Sequence, residues 1–351
     1  MTSSLKVIVI GLGKQSVEDH IPAIIESPMF ELVAVQDTNQ MRAQEIGEQY
    51  SLPWYTNLED LLESASRTCD VALVAIPHNE YLPIIRALAE RHIDVIKEKP
   101  FATSIDEANE MIRLSKEFNI SIYVTLQRRF NPIFTTFEQL IKRIGKIYSI
   151  EAKYTMNIAQ LDQGWRANYQ LARGGALIDM GYHIVDLLVW YFGLPDEVIC
   201  RLSTGNREGQ QYDVEDTALV TFSYHEQEGS RNRIIGNMLI SRAYDKKQEI
   251  LSVYGSKGSV MIKRGRVCRR DLSGEEVEIL SREGSWPSAA IDQLETLGRR
   301  IINNRQSSER EQYQYREHIA FIEAAYVSDR EHDRKNPYDF LQLIEEFDTH
   351  A

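Results

Sequence analysis

Two residues of this sequence, Asp179 and His183, have the types and the spacing that proton transfer requires. They lie four positions apart in a helix predicted over 177–192, so their side chains share one helical face, which Asp186 continues. An imidazole has the ordinary pKa nearest neutrality, so it can exchange a proton with a hydroxyl group while hydride leaves the same carbon. The segment predicts an acid–base pair; a capping aspartate and a core histidine are the alternative.

A lysine, Lys99, lies in the tripeptide Glu98-Lys99-Pro100, which follows a strand predicted over 94–96. Proline ends a strand and turns the chain, and Pro77 does the same after the strand predicted over 71–76. Ligands bind at this carboxyl edge of an open α/β sheet, where an ammonium group can stabilise a developing alkoxide. A lysine on a solvated surface is the alternative.

A glycine-containing turn follows the first predicted strand, over 7–10. Gly11 and Gly13 would let the backbone approach a pyrophosphate at a helix N-terminus, whereas Ser16 stands where a third glycine is usual. The residues of this turn that we expect to contact a dinucleotide are Gly11, Gly13, Lys14, Gln15 and Ser16. A tight strand-to-helix turn without a ligand is the alternative.

An acidic residue, Asp37, ends the second predicted strand, over 32–36. It follows Gly13 by roughly the 20 residues at which a carboxylate binds the ribose 2′-hydroxyl of a dinucleotide. The same carboxylate would repel a 2′-phosphate, and the residues just after it, Thr38 and Asn39, bring no guanidinium to offset that repulsion. NAD is therefore expected and NADP is disfavoured; Lys14 and Arg42 are the cations that would serve NADP.

The order of predicted elements indicates an α/β chain of two domains. Up to residue 126, short apolar strands alternate with amphipathic helices, the pattern of a parallel sheet covered by helices. The strands are expected over 7–10, 32–36, 71–76, 94–96 and 120–125, and the helices over 40–49, 58–64, 81–91 and 105–118. Later strands alternate with period two, as in an antiparallel sheet, over 146–157, 217–224, 233–241 and 249–253. Helices are expected over 177–192, 289–303 and 315–330.

The composition of the chain excludes several classes of function. A net charge of −12 would on average repel a phosphate backbone, so nucleic acid is not an expected partner. No stretch approaches the roughly 18 consecutive apolar residues of a membrane-spanning helix, so we expect no membrane anchor. Cys69, Cys200 and Cys268 show no CxxC or metal-ligand spacing, which suggests reduced thiols in a cytoplasmic protein. Asp179 and His183 lack a third ligand for a metal, and no GxSxG elbow of a hydrolase appears.

Together these segments resemble the glucose-fructose oxidoreductase, inositol dehydrogenase and MocA (Gfo/Idh/MocA) family. The resemblance extends over nearly the whole chain, and its motifs occur in the order of that family. They are the GLG of 11–13, Asp37, Pro77, Glu98-Lys99-Pro100, Arg129-Phe130-Asn131-Pro132, Gly174-Gly175 with Asp179 to His183, and Tyr254-Gly-Ser-Lys-Gly258.

The resemblance implies an N-terminal Rossmann dinucleotide-binding domain over 1–126. A C-terminal α+β domain would follow over 127–351, with a large, mostly antiparallel open sheet whose exposed face builds homodimers or homotetramers. It also implies that Lys99 polarises the reacting oxygen, that His183 is the acid and base, and that Asp179 assists it. Trp165 and Arg166 fall where such enzymes often contact substrate.

Three residues depart from the family pattern. Ser16 replaces the usual third glycine, and His20 lies one position later than the family spacing, which predicts a longer phosphate loop. Tyr81 stands where the family commonly has histidine, so contacts near the nicotinamide are expected to differ. Lys99, Asp179 and His183 are all retained.

The function expected from the sequence is an NAD(P)-dependent oxidoreductase acting on the CH–OH group of a sugar, sugar derivative or cyclitol. Besides the glycine turn, the residues expected to contact the cofactor are Asp37, Pro77, Glu98 and Lys99. The residues expected to contact substrate are Arg129, Tyr154, Trp165, Arg166, Asp179 and His183, with no metal. Two alternatives stay open: a redox-neutral sugar or glycoside conversion with tightly bound NAD, and a non-catalytic regulatory protein that binds dinucleotide or sugar.

Overall fold

The computed structural model describes residues 4–65, 68–225, 233–263, 265–281, 286–303 and 305–341, and its strands form two sheets. The first sheet contains β1 (Leu5–Ile10), β2 (Phe30–Gln36), β3 (Trp54–Tyr55), β4 (Val71–Val74), β5 (Asp94–Lys97) and β6 (Ile122–Val124). The second contains β7 (Ile147–Asn157), β8 (Glu197–Ser203), β9 (Thr217–His225), β10 (Arg233–Ser241), β11 (Ala243–Gly255), β12 (Gly258–Lys263), β13 (Arg266–Arg270) and β14 (Glu276–Ser281).

The helices of the described residues include two turns of π-helix, Ser16–His20 and Leu177–Gly181, each of which runs directly into an α-helix. The α-helices are α1 (Ile21–Glu26), α2 (Gln40–Tyr50), α3 (Leu58–Ala65), α4 (Tyr81–Ala89), α5 (Ile105–Glu117), α6 (Pro132–Ile141), α7 (Tyr169–Ala172), α8 (Tyr182–Phe192), α9 (Trp286–Asn303) and α10 (Arg305–Glu331). Short 3₁₀ turns lie between several of them.

The first compact unit of the chain contains the parallel sheet. It comprises the described residues of 1–102, 106–127 and 286–315. Its strands pair in the order β3-β2-β1-β4-β5-β6, all parallel, so the carboxyl ends of β1, β2, β4 and β5 lie along one edge of the sheet. These strands are buried almost throughout, as expected for a sheet covered on both faces.

A late helix, α9, completes the core of this first unit. Its buried residues Ala290, Leu294, Leu297 and Ile301 recur at helical spacing and join the apolar cluster of β1, β2 and β4. Burying each such leucine stabilises the fold by about 1.5–3 kcal/mol. The first unit breaks after residue 127, next to the boundary expected at 126/127, but residues 286–315, expected in the second domain, also belong to the first unit.

The second unit comprises the described residues of 103–105, 128–285 and 316–351, and it contains the other sheet. The strand order is β14-β13-β12-β11-β7-β10-β9-β8, and every pair is antiparallel except β7 with β10. On one face of this sheet large apolar side chains remain exposed, among them Leu219 and Ile235, which are 48% and 59% exposed. The fold class predicted from the sequence is confirmed.

Several elements differ from the predicted ones. The short strand β3, the edge strands β8 and β14, and the neighbouring strands β12 and β13 were not predicted, since they are short or carry charged residues that mask the alternation, as in Arg266–Arg270. The helix expected over 315–330 begins at Arg305, and the strand expected over 71–76 ends at Val74, three residues before Pro77. For the remaining predicted strands and helices, most of the predicted ends lie within a few residues of the ends in the structure.

Candidate functional site

The turn after β1 brings the backbone close to the end of β4. Gly11 has φ +86, and a Cβ built on it would lie 2.3 Å from the carbonyl oxygen of Ala75. Its N–H donates to the carbonyl oxygen of Gln36 at 2.8 Å. At Gly13, in contrast, a Cβ would meet no atom of the described residues within 4 Å. Gly11 is thus required by the fold, whereas Gly13 leaves open space beside the turn, as a phosphate requires.

The π-helical turn Ser16–His20 corrects the expectation of a longer phosphate loop. The N–H of Ile21 donates to the carbonyl oxygen of Ser16, five residues earlier, so the additional residue is taken up inside the helix. Ser16 is fully buried, and its hydroxyl donates to the carbonyl oxygen of Gly11 at 2.6 Å. Ser16 therefore closes the turn from the inside.

The two remaining residues of the turn, Lys14 and Gln15, lie on the surface. The Lys14 amine is 3.7 Å from the Glu18 carboxylate and its side chain is 82% exposed, while the Gln15 amide donates to Asp19 at 2.5 Å. Both contacts join residues four apart on one helical face. Exposed contacts of this kind contribute little to stability. Their side chains can therefore reorient toward a ligand at small cost.

The Asp37 carboxylate, at the end of β2, is buried and held by three donors. Oδ2 accepts from the Leu12 N–H at 2.8 Å and from the Arg42 guanidinium at 3.3 Å, and Oδ1 accepts from the Asn39 N–H at 2.8 Å. These bonds fix the carboxylate beside the glycine turn. The residues that directly follow Asp37 carry no positive charge. Arg42, from the first turn of α2, supplies a guanidinium group to Asp37 instead.

The carboxyl end of β5 carries Glu98 and Lys99. Oε1 of Glu98 accepts from Nε2 of His20 at 2.8 Å and from the Thr125 hydroxyl at 2.7 Å. Burial by itself would raise the pKa of Glu98, but the hydrogen bond and charge of His20, with Lys99 and Thr125, hold it below its usual value. Lys99 follows, half-buried, and Pro77 precedes a 3₁₀ turn after the neighbouring strand β4.

In the second unit, Asp179 lies within the π-helical turn Leu177–Gly181. Its Oδ2 accepts from Nε of Arg166 at 3.1 Å and from Nη2 of Arg242 at 3.0 Å. Arg242 is buried and Arg166 is half exposed, with its guanidinium 4.2 Å from the ring centroid of Trp165. Two guanidinium groups at hydrogen-bond distance favour the charged form of this carboxylate.

The glycine pair before this turn allows close contact with a buried glutamate. A Cβ on Gly175 would lie 1.9 Å from the carbonyl oxygen of Glu215. The Glu215 carboxylate accepts from the N–H groups of Gly175 and Leu177 at 2.7 and 2.9 Å, and from the Tyr326 hydroxyl at 2.9 Å. Glu215 thus caps the segment that carries Asp179.

His183 lies in the first turn of α8 and contacts Tyr154 of β7 edge to face, with ring centroids 6.2 Å apart. The Tyr154 ring also lies 5.3 Å from the guanidinium of Arg128, which forms an ion pair with Glu249 at 2.7 Å. Burial raises the pKa of Tyr154; Arg128 opposes this effect, and the carboxylates of Glu249 and Asp179 add to it. Tyr154, His183 and Asp179 therefore occupy one polar neighbourhood.

Asp186 and Arg129 belong to a different cluster from the one expected. Asp186 is almost fully buried and accepts from Nε of Arg129 at 2.9 Å, with Nη2 at 2.7 Å. Nε2 of His318, from α10, lies 3.6 Å from the same carboxylate. Burial raises the pKa of Asp186, and the charge of Arg129 opposes that rise. The Arg129 guanidinium is thus engaged in an interior ion pair.

Sequence reasoning missed four residues that hold the second site: Arg242, Arg128, Glu249 and Glu215. Arg242 lies 63 residues from Asp179 along the chain, and Arg128 lies 121 residues from Glu249. No local spacing links residues this distant. The one available signal is that Arg242 follows an apolar strand without an intervening turn residue, which places a charged group at the end of β10.

Within the described ranges, His, Cys, Asp and Glu side chains do not assemble in groups of three or more that could hold a metal ion. Over the same part of the chain, the helices lack the combination of length and apolarity needed to cross a bilayer.

The two glycines of the turn offer a matched test of its role. Gly11→Ala should lower the free energy of unfolding by roughly 1–3 kcal/mol, because it adds a Cβ against Ala75 at a positive φ. Gly13→Ala should leave unfolding unchanged and weaken NADH binding, because the added methyl group fills the open space. Urea unfolding and NADH fluorescence titration measure the two effects. Equal NADH affinity in Gly13→Ala and the unmodified protein would contradict this role.

Comparisons with known proteins identify the family of this chain. Residues 5–125 match the model of the Gfo/Idh/MocA oxidoreductase family with an NAD-binding Rossmann fold, and residues 134–261 match the C-terminal domain of that family. An oxidoreductase of Schizosaccharomyces pombe is 26% identical over 231 residues, which cover 64% of this chain and 61% of that protein. The D-xylose 1-dehydrogenase (NADP(+)) 2 of Haloferax volcanii is 25% identical over 234 residues, 64% of this chain and 70% of that protein.

A solved structure shares the fold over almost the whole chain. The WlbA dehydrogenase of Bordetella pertussis, in complex with NADH and UDP-GlcNAcA, superposes with a TM-score of 0.78 at 21% identity, covering 95% of this chain and 99% of that one. The two family models together match most of the sequence, including strands of both sheets. This chain is therefore a member of the Gfo/Idh/MocA family of NAD-binding oxidoreductases.

Proposed function

We propose that this protein is an NAD-dependent dehydrogenase that transfers hydride between the nicotinamide and a secondary alcohol or ketone of a sugar, sugar derivative or cyclitol. The observation that carries the proposal is the polar group on the second unit: His183 beside Tyr154, four residues after a carboxylate held by two guanidinium groups. A sugar is supported by the relatives, since one is named for D-xylose and another binds UDP-GlcNAcA.

Each side chain has a separate part in the proposed reaction. When bound, the dinucleotide accepts or supplies hydride at its nicotinamide ring. His183 takes the hydroxyl proton as the substrate carbon loses hydride, and returns it in the reverse direction. The part that the family resemblance gives to Lys99 is to donate a hydrogen bond that stabilises alkoxide character on the substrate. Asp179, four residues before His183 and held in place by Arg166 and Arg242, is the carboxylate that the family resemblance assigns to assist it.

Replacing the two proposed proton-handling groups tests the reaction. Lys99→Ala and His183→Ala should each reduce turnover by roughly 10²-fold or more, because one removes the donor to the alkoxide and the other removes the base. Turnover is measured by nicotinamide absorbance against a panel of free sugars, phosphosugars, uronic acids, cyclitols and glycosides. NADH affinity should stay within about twofold in both variants.

The matched controls are a surface lysine and a surface histidine, Lys6→Ala and His92→Ala, which should keep the turnover of the unmodified protein. Turnover that is unchanged in both Lys99→Ala and His183→Ala would contradict the assignment. A protein that binds NADH but oxidises or reduces no member of the panel would instead support a regulatory protein.

The preference for NAD is proposed from the position of Asp37. Its carboxylate is buried and fixed by the Leu12 and Asn39 N–H groups, so it cannot turn away from a 2′-phosphate. Among the described residues, Arg42, whose side chain is 47% exposed, is the cation in contact with Asp37, and it would attract that phosphate. We propose that the carboxylate dominates, because it accepts from a ribose hydroxyl at short range.

Two substitutions separate these opposing charges. Asp37→Ser should shift the ratio of NADPH to NADH affinity toward NADPH by roughly tenfold or more, because it removes the repulsion. Arg42→Leu should weaken NADPH binding alone. Fluorescence titrations with both reduced dinucleotides measure the ratio. Tighter binding of NADPH than of NADH by the unmodified protein would overturn the preference.

An acidic substituent on the substrate is favoured by the charges around Asp179. Arg166 and Arg242 together carry two positive charges against the single carboxylate of Asp179. The half-exposed guanidinium of Arg166, stacked on Trp165, is the group that a carboxylate or phosphate can reach. The uronic acids and phosphosugars of the panel test this point directly.

We further propose that the exposed sheet face joins copies of this chain into a dimer or tetramer. Ile199, Leu219, Ile235 and Leu239 point outward from three neighbouring strands, and Leu219 lies opposite Leu239 in the ladder. An apolar face of this kind marks an interaction surface.

Placing positive charges on this apolar face tests the assembly. Leu219→Lys with Ile235→Lys should convert the oligomer to monomer, because lysine cannot lose its hydration shell at an apolar contact without a large penalty. Sedimentation velocity measures the change. Met41→Lys, at an exposed apolar position of α2, serves as control. A protein that is already monomeric at micromolar concentration would contradict the proposal.

A further inference from the structure

A second lysine, Lys97, lies two residues before Lys99 and is completely buried as the last residue of β5. Its Nζ donates to the carbonyl oxygen of Pro100 and, at 3.0 Å, to that of Phe101. The same nitrogen lies 3.5 Å from the centroid of the Tyr81 ring. An amine inside the sheet thus holds the backbone that follows Lys99.

The surroundings of Lys97 account for all three of its donors. Two N–H groups reach the carbonyl oxygens, and the third faces an aromatic ring, which attracts a cation. The neighbouring strands contribute Val74 and Val124 at the same level of the sheet. An apolar side chain at this position would remove the donor from both buried carbonyl groups, which is costly.

Charged groups reach Lys97 from two elements. Burial lowers the pKa of Lys97 to about 7; Glu107 of α5 and Glu98 raise it, and Lys99 lowers it further. The Phe101 ring, on the segment that Lys97 holds, packs against Tyr315 of α10 at 5.5 Å. A neutral amine keeps two N–H groups, so donation to both carbonyl oxygens persists on either side of this pKa.

Tyr81 explains why this chain can hold a buried amine here. Tyr81 is almost fully buried, and its ring lies under the Lys97 amine. A protonated imidazole would set a second positive charge against Lys97, whereas the phenol ring presents a negative face to it. The Tyr81 ring and the buried Lys97 amine are therefore mutually compatible.

Lys99 is fixed on both sides by these contacts. Before it, the Glu98 N–H donates to the carbonyl oxygen of Val74 at 2.8 Å, and the Glu98 carboxylate binds His20 and Thr125. After it, Lys97 holds Pro100 and Phe101. We infer that Lys97 is a positioning residue for Lys99, acting by fixing residues 98–102 from inside the sheet. The inference rests on the proposed role of Lys99 in hydride transfer.

The test compares Lys97→Met with Lys6→Met, a lysine of the same sheet outside the site. Lys97→Met should lower kcat roughly tenfold, because Lys99 loses its fixed geometry, while the Kd for NADH stays within about twofold. Amide hydrogen exchange in residues 98–104, followed without substrate, should become faster in Lys97→Met and remain unchanged in Lys6→Met. A purely structural role would lower the melting temperature and leave kcat of the folded enzyme unchanged.

A second pair of variants keeps the test decisive if Lys97→Met does not fold. Tyr81→Leu removes the aromatic face and should reproduce the faster exchange and the lower kcat, whereas Tyr81→Phe keeps the ring and should match the unmodified protein. Equal exchange and equal kcat in the two Tyr81 variants would overturn the inference.

Lys99→Met, measured in parallel, tests the proposed function separately from the positioning role of Lys97. If Lys99→Met keeps full turnover, the proposed function is wrong. If it is inactive while Lys97→Met keeps the kcat and the exchange rates of the unmodified protein, the proposed function stands and the positioning role of Lys97 is wrong.

Discussion

The charged groups of both candidate sites are largely withdrawn from water, and each must therefore be paired. An ionised group in a protein interior is tolerated only where hydrogen bonds or an opposite charge replace its hydration. Asp37 meets this requirement through two backbone N–H groups and Arg42, Glu98 through His20 and Thr125, and Asp179 through two arginines. Pairing fixes where each group points, and that fixed direction is what a binding site requires.

Both sites also depend on a π-helical turn at the start of a helix. In the first unit, Ser16–His20 takes up one additional residue, so that His20 still reaches Glu98 at 2.8 Å. In the second, Leu177–Gly181 carries Asp179 and leads into α8, where His183 lies in the first turn. Such turns are rare and occur frequently at functional sites, because they redirect side chains without breaking the helix.

The extent to which the fold was predictable follows from how local its signals are. Apart from β3 and α1, the strands of the parallel sheet and the helices between them were predicted, because continuous apolar runs and helical periodicity are properties of short segments. The strand β13 and its edge neighbour β14 escaped prediction because Arg266–Arg270 carries charged residues at adjacent positions, and Glu276–Ser281 is a short strand of only six residues. The packing of α9 against α1, within the apolar cluster that includes β1 and β2, could not be predicted, since amphipathic periodicity tells which face is buried but not against what.

The sequence by itself determined the glycine turn, the acidic residue that follows β2, the lysine after β5 and the spacing of four residues between Asp179 and His183. Each of these is a short-range pattern in which residue type and spacing carry the chemistry. Only the tertiary structure decided that Arg242 and Arg166 hold Asp179, that Arg129 is taken up by Asp186, and that Lys97 lies inside the sheet on Tyr81. The physical reason is that charge pairing and burial act through space, between residues that folding brings together from distant parts of the chain.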